Sequence, residues 1–183
     1  MKKLITIGAT IAVMAVIAVA AVKSGLDKGD SISAFHPQHI SGPLANSTSC
    51  FPCTFKQRPQ VQVWVNGDQH NNILAIAKDL DNAIEKYSKT EFKAMVVFLS
   101  DPAKVDATKS MVMKAMEGKN LNRIAVAVLA NNHSAVTDYK INLKAKNTVF
   151  VYKNWKVTNK MVDFNADSKG LTTLNAAIAE IAK

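Results

Sequence analysis

Between Gln60 and Ala182 the hydrophobic positions follow two alternating periods. Gln60-Val61-Gln62-Val63-Trp64-Val65 alternates polar and apolar residues and then meets Asn66-Gly67-Asp68, which predicts a strand ending in a turn. From His70 to Lys89, Ile73, Leu74, Ile76, Ala77, Leu80, Ala83, Ile84 and Tyr87 recur three or four apart, which predicts an amphipathic helix capped by Asp68 or Asn71. Phe92 to Leu99 is almost wholly apolar, centred on Met95-Val96-Val97-Phe98-Leu99 and bounded by Ser100-Asp101-Pro102. It suits a strand buried on both faces. Asp101 and Pro102 open a second helix, from about Ala103 to Glu117 and closed by Gly118, whose Val105, Met111, Val112, Ala115 and Met116 read as core filler. Arg123 to Leu129 and Asn147 to Tyr152 are further apolar strands, joined by a polar connection containing Asp138-Tyr139-Lys140-Ile141. A Lys153-Asn154 turn then leads to a strand from Trp155 to Phe164, antiparallel to the one before it. A last helix from about Ser168 to Ala182 carries Leu171, Leu174, Ala177, Ile178 and Ile181 on one side.

This order of strands and helices implies an α/β fold: right-handed parallel crossovers, a mixed central sheet with helices on both faces, and an antiparallel edge from the closing hairpin. The preceding stretch from Lys23 to Thr48 is rich in Ser, Gly, Pro and Asn and shows neither period. It reads as a tether followed by an ordered approach, so residues 21–47 form an extension and 48–183 the folded domain. At the N-terminus, Lys2-Lys3 precede an apolar run from Leu4 to Val22 that contains Ala18-Val19-Ala20. That pattern fits a secretory signal over residues 1–20, cleaved after Ala20; the same run is also long enough for an uncleaved membrane anchor. Either reading exports the body of the protein to the periplasm or the extracellular space.

A chain of 183 residues with 48% hydrophobic content can fill one core beside such an appendage. Its formal charge of +9 comes from lysines dispersed along the chain. No basic face interleaved with stacking aromatics accompanies them, which excludes a nucleic-acid groove. Neither a glycine loop for phosphate nor a serine, histidine and acid set stands out.

Chemistry of its own belongs to one stretch, Thr48-Ser49-Cys50-Phe51-Pro52-Cys53, which holds the only two cysteines. In an exported protein such a pair is more stable oxidised than free. Three readings stay open. In the first, Cys50 and Cys53 cycle between dithiol and disulfide, Cys50 being the attacking thiolate and Cys53 the resolving one, while Lys56 and Arg58 lower the thiol pKa. In the second the same pair is a structural clip on a non-catalytic domain that binds a partner. In the third, His36 and His39 join Cys50 and Cys53 as a zinc or copper site. A c-type haem is disfavoured because Thr54 stands where the attachment motif needs histidine.

The body of the chain resembles the thioredoxin-like superfamily of the peroxiredoxin or TlpA type. The resemblance lies in the element order, in Tyr139-x-Ile141 placed like a Y-x-V segment, and in the Thr148-x-Phe150-x-Tyr152 strand with its hairpin partner and terminal helix. Thr48 to Val65 also resembles an exported subgroup that carries its C-x-x-C upstream of the first central strand. What this implies is thiol-disulfide exchange or redox sensing with protein thiols or disulfides as partners and no cofactor. Two departures bear on that. The usual place of the sulfurs, at the start of the helix after the first central strand, is Gly67-Asp68-Gln69-His70, and the usual cis-proline place is Lys146-Asn147, where a trans peptide is expected. Seven residues separate Cys53 from Gln60 in numbering, enough to let the loop fold back over the carboxyl ends of the strands.

Overall fold

A computed structural model describes residues 21–183, and the expected signal or anchor segment at 1–20 lies outside the described residues. Six strands form one sheet in the order β1-β4-β3-β2-β5-β6: β1 is Gln38–Ser41, β2 Gln60–Val65, β3 Lys93–Ser100, β4 Ala125–Ala130, β5 Asn147–Lys153 and β6 Lys156–Val162. Strands β2, β3 and β4 run parallel; β5 and β6 continue antiparallel from one side and β1 from the other. The helices are α1 (Phe51–Phe55), α2 (His70–Lys86), α3 (Val105–Met116), α4 (Ser134–Asp138) and α5 (Ser168–Ile181).

Because strand side chains alternate, each face of the sheet builds its own core. Val61, Val63, Val96, Val126, Val149 and Val151 meet α2 through Ile76 and Leu80, α3 through Val112, and α5 through Leu174 and Ile178. The opposite face presents Trp64, Met95, Val97, Ala127, Phe150 and Tyr152 to α1, to α4 and to the chain before β1. Helices thus cover both faces, with the three long ones sharing a single face.

Several sequence expectations change. The stretch read as a tether is part of the domain: Leu26, Ile32 and Phe35 are buried in the second core, Tyr139 Oη donates to Ser33 O at 2.6 Å, and Ser24 and Thr148 share a hydroxyl bond of 2.7 Å. Gly25 shows how close this approach is. Its φ is +83°, and a Cβ there would lie 2.7 Å from the Phe150 ring. The domain therefore begins well before residue 48. β1 was hidden because four residues without clear alternation carry no period, yet it closes the edge of β4.

The final hairpin turns at Asn154-Trp155, not at Lys153-Asn154. Both residues have positive φ, 54° and 65°, the twist a two-residue turn between antiparallel strands requires. Met111 was expected in the core but is 64% exposed, because α3 buries only Val112 fully.

Candidate functional site

Cys50 and Cys53 are bonded to each other, with Cα atoms 5.2 Å apart, across the first turn of α1. The turn forms for local reasons. Cys50 is the extended N-cap residue and its Sγ accepts the Cys53 N–H at 3.2 Å, while Pro52 occupies an early helical position that has no need of an N–H partner. Phe51 and Phe55 then fasten one side of this short helix to the sheet, their rings 4.8 Å apart in edge contact. The two sulfur-bearing residues differ in access. Cys50 is 5% exposed and belongs to the buried side, whereas Cys53 lies with Thr54 on the open side.

The approach to Cys50 is held by the two histidines. His36 Nδ1 bonds Thr48 O at 2.9 Å and His39 Nε2 bonds Ser49 O at 2.9 Å, so successive carbonyls just ahead of the cysteine are both fixed. The Nε2 of His39 must carry the proton to donate to a carbonyl, which leaves its buried Nδ1 deprotonated and without a partner. Burial pushes the His39 imidazole below its ordinary pKa, only partly offset by the bond to Ser49. The expected Cys₂His₂ metal set is not assembled: the two sulfurs are bonded to each other, and no cluster of three or more His, Cys, Asp or Glu occurs among the described residues.

Lys56 and Arg58 sit beyond the other end of α1 from Cys50. Lys56 is the exposed C-cap residue, and Arg58 Nε pairs with Glu91 at 2.9 Å, so the guanidinium is held by a carboxylate and not by a sulfur. The chain after α1 is tied to the amino end of β2: Gln60 Nε2 donates to Lys56 O at 2.9 Å, and Asn154 N to Gln57 O at 3.3 Å. At the other end, His39 stands opposite Ala127 in the middle of β4. The cysteines are therefore anchored against a face of the sheet, and the loop does not fold back over the carboxyl ends of the strands.

At that carboxyl end, Gly67-Asp68-Gln69-His70 carries a polar network in place of sulfur. Asp68 accepts from Gln69 N at 2.6 Å, from Asn72 Nδ2 at 2.7 Å and from the side-chain amide of Asn147. Asn147 is 1% exposed and also holds the backbone of Phe164 through both of its amide atoms, at 2.9 Å each. His70 is exposed at the first position of α2. Beside this network a cavity of about 350 Å³ opens between α2 and α3, lined by Val65, Ile73, Phe98 and Met111. No cis peptide bond occurs among the described residues, as expected from Lys146-Asn147.

A second polar chain joins β2 to β5. Tyr152 Oη accepts from Gln62 Nε2 at 2.7 Å and donates to Gln60 Oε1 at 2.8 Å, while Trp64 Nε1 donates to Gln62 Oε1 at 3.1 Å. The alternating sequence of this strand marks Gln60 and Gln62 as polar but gives no sign that both are fully buried.

Comparison of the whole fold places it among thioredoxin-like structures. A putative thiol:disulfide interchange protein DsbE from Chlorobium tepidum superposes with a TM-score of 0.64 at 17% identity, covering 86% of this chain and 99% of its own. A putative protein disulfide isomerase from Bacteroides thetaiotaomicron gives 0.65 at 8% identity, covering 88% and 94%. A DsbF homologue from Corynebacterium diphtheriae gives 0.62 at 10%, covering 90% and 97%. No family model and no curated protein matches the sequence. At these identities the likeness is one of fold, and it extends over nearly the whole described chain.

Proposed function

We propose that this protein acts outside the cytoplasm in thiol-disulfide exchange or redox sensing, with Cys50 and Cys53 as the reacting pair. One observation carries the reading: the only disulfide of a thioredoxin-like domain has one member, Cys53, open to solvent. A disulfide sulfur that a thiolate can reach is exchangeable without unfolding the chain, whereas a sealed one is inert. The structural neighbours include proteins described as a thiol:disulfide interchange protein and a disulfide isomerase, which supports protein thiols or disulfides as the partners here. Lys56 lends the site positive charge from the end of α1. Export rests on Lys2-Lys3 and the apolar run after them. No helix among the described residues is long and apolar enough to cross a membrane, so in this reading attachment to one comes from that run.

Burial of Cys50 and the sulfur-free network at Asp68 favour a second reading, in which the bond is a structural clip and the body binds a partner. Incubating the folded, oxidised protein with reduced glutathione and trapping free thiols with an alkylating agent separates the two. The exchange reading expects both cysteines to be alkylated while near-ultraviolet dichroism stays native. Alkylation that requires denaturant supports the clip.

A further inference from the structure

The exposure pattern around the disulfide points to a direction of attack opposite to the one the sequence suggests. We infer that an external thiolate enters at Cys53 and that Cys50 is the leaving sulfur; this rests on the exchange reading above. Access gives the first reason. Cys50 is 5% exposed, on the side of α1 that Phe51, Pro52 and Phe55 press against the sheet, and the histidine bonds to Thr48 O and Ser49 O hold the backbone leading into it. Cys53 faces solvent, next to exposed Thr54.

Leaving-group stability gives the second. When a disulfide is cleaved, the departing sulfur takes up negative charge, and the rate rises with the stability of that thiolate. Cys50 Sγ already accepts the Cys53 N–H at 3.2 Å, a bond that strengthens as the sulfur becomes anionic. Among the described residues no hydrogen bond reaches Cys53 Sγ. Steric access and charge stabilisation therefore assign different roles to the two sulfurs, and the two assignments agree.

The electrons balance as follows. A thiolate RS⁻ forms a bond to Cys53 Sγ, the Cys50–Cys53 bond breaks, and its electron pair remains on Cys50 as a thiolate that can then be protonated by solvent. A second thiolate attacks the R sulfur of the mixed disulfide, releasing the oxidised disulfide and leaving Cys53 as thiolate. Two external thiols have then lost two electrons and the protein has gained them. In the reverse direction Cys53 is the nucleophile toward a substrate disulfide, and Cys50 resolves the intermediate.

The test uses the full chain. Oxidised wild-type protein is mixed with reduced glutathione and quenched in acid, and tandem mass spectrometry locates the glutathione. In parallel, the reduced single variants Cys50→Ser and Cys53→Ser react with an aromatic disulfide reagent under native conditions. The inference expects the adduct on Cys53 and Cys50→Ser reacting about tenfold or more faster than Cys53→Ser, because access to the sulfur outweighs the better-stabilised thiolate of Cys50. An adduct on Cys50, or the opposite ranking of the variants, overturns the assigned direction and leaves exchange itself standing. No adduct on either sulfur of the folded wild-type protein, together with no reaction of either folded single variant with the reagent, overturns both.

Discussion

Asp68 accepts a hydrogen bond from the side-chain amide of Asn147 across 79 residues of chain, joining the turn after β2 to the start of β5. The fold keeps that corner and uses it structurally. A carboxylate, two asparagines and the Phe164 backbone fill it, while the sulfurs sit in the α1 turn that precedes the amino end of β2.

If that corner is structural, truncating it affects stability and not sulfur chemistry. Asn147→Ala leaves the backbone N–H of buried Phe164 unpaired and is expected to cost about 2–3 kcal/mol. Urea unfolding measures the loss. Glutathione exchange at Cys50 and Cys53 should keep its wild-type rate in the folded variant.

The Gln60, Gln62 and Tyr152 chain stabilises the second face of the sheet in the same way. Tyr152→Phe removes the hydroxyl between two buried amides, leaving Gln62 without an acceptor and Gln60 without a donor. A destabilisation of about 1–3 kcal/mol is expected, read from the shift in denaturation midpoint. Burial raises the Tyr152 pKa well above its ordinary value, so alkaline titration should show no normal ionisation at this residue until the protein unfolds.

His39 gives stability a pH dependence near neutrality. Its pKa is lowered in the folded state, chiefly by burial, so below the ordinary value of 6.5 the unfolded chain binds the extra proton more readily. The contribution of His39 is present above that value and is lost as pH falls toward its folded pKa. Asp27, Asp30 and Glu91 act only at lower pH, because their hydrogen bonds to Lys160, Lys140 and Arg58 hold them below the usual carboxylate range. Thermal melts between about pH 7 and pH 5 should show wild-type stability falling with pH, and His39→Gln should flatten that slope.

How far the sequence reveals the molecule follows from the range of its signals. The parallel strands and long helices repeat a hydrophobic period over enough residues to be read directly, and their order carries the thioredoxin-like topology. β1 and α4 are four and five residues long, too short to repeat a period. The segment from Ser24 to Phe35 looks like a tether because Leu26, Ile32 and Phe35 are irregularly spaced, and only the sheet face beneath makes them core. Cys50 and Cys53 are legible as a pair from spacing alone. Their unequal exposure is not, since it depends on which side of a five-residue helix Phe51 and Phe55 draw down.

Reducing the disulfide should cost little stability. A ring closed over three residues of separation removes little chain entropy, and breaking it is expected to cost about 2 kcal/mol. The comparison is the unfolding free energy of oxidised protein against the Cys50→Ser, Cys53→Ser double variant. A small loss permits the reduced state to stay folded, which exchange requires.

The central claim is that this bond opens and closes at potentials found outside the cytoplasm, and equilibrating the protein against glutathione redox buffers, with free thiols counted at each ratio, tests it most directly. The account predicts a midpoint between about −120 and −270 mV, the range of exchanging dithiols. A midpoint below about −300 mV, where structural disulfides lie, would contradict it.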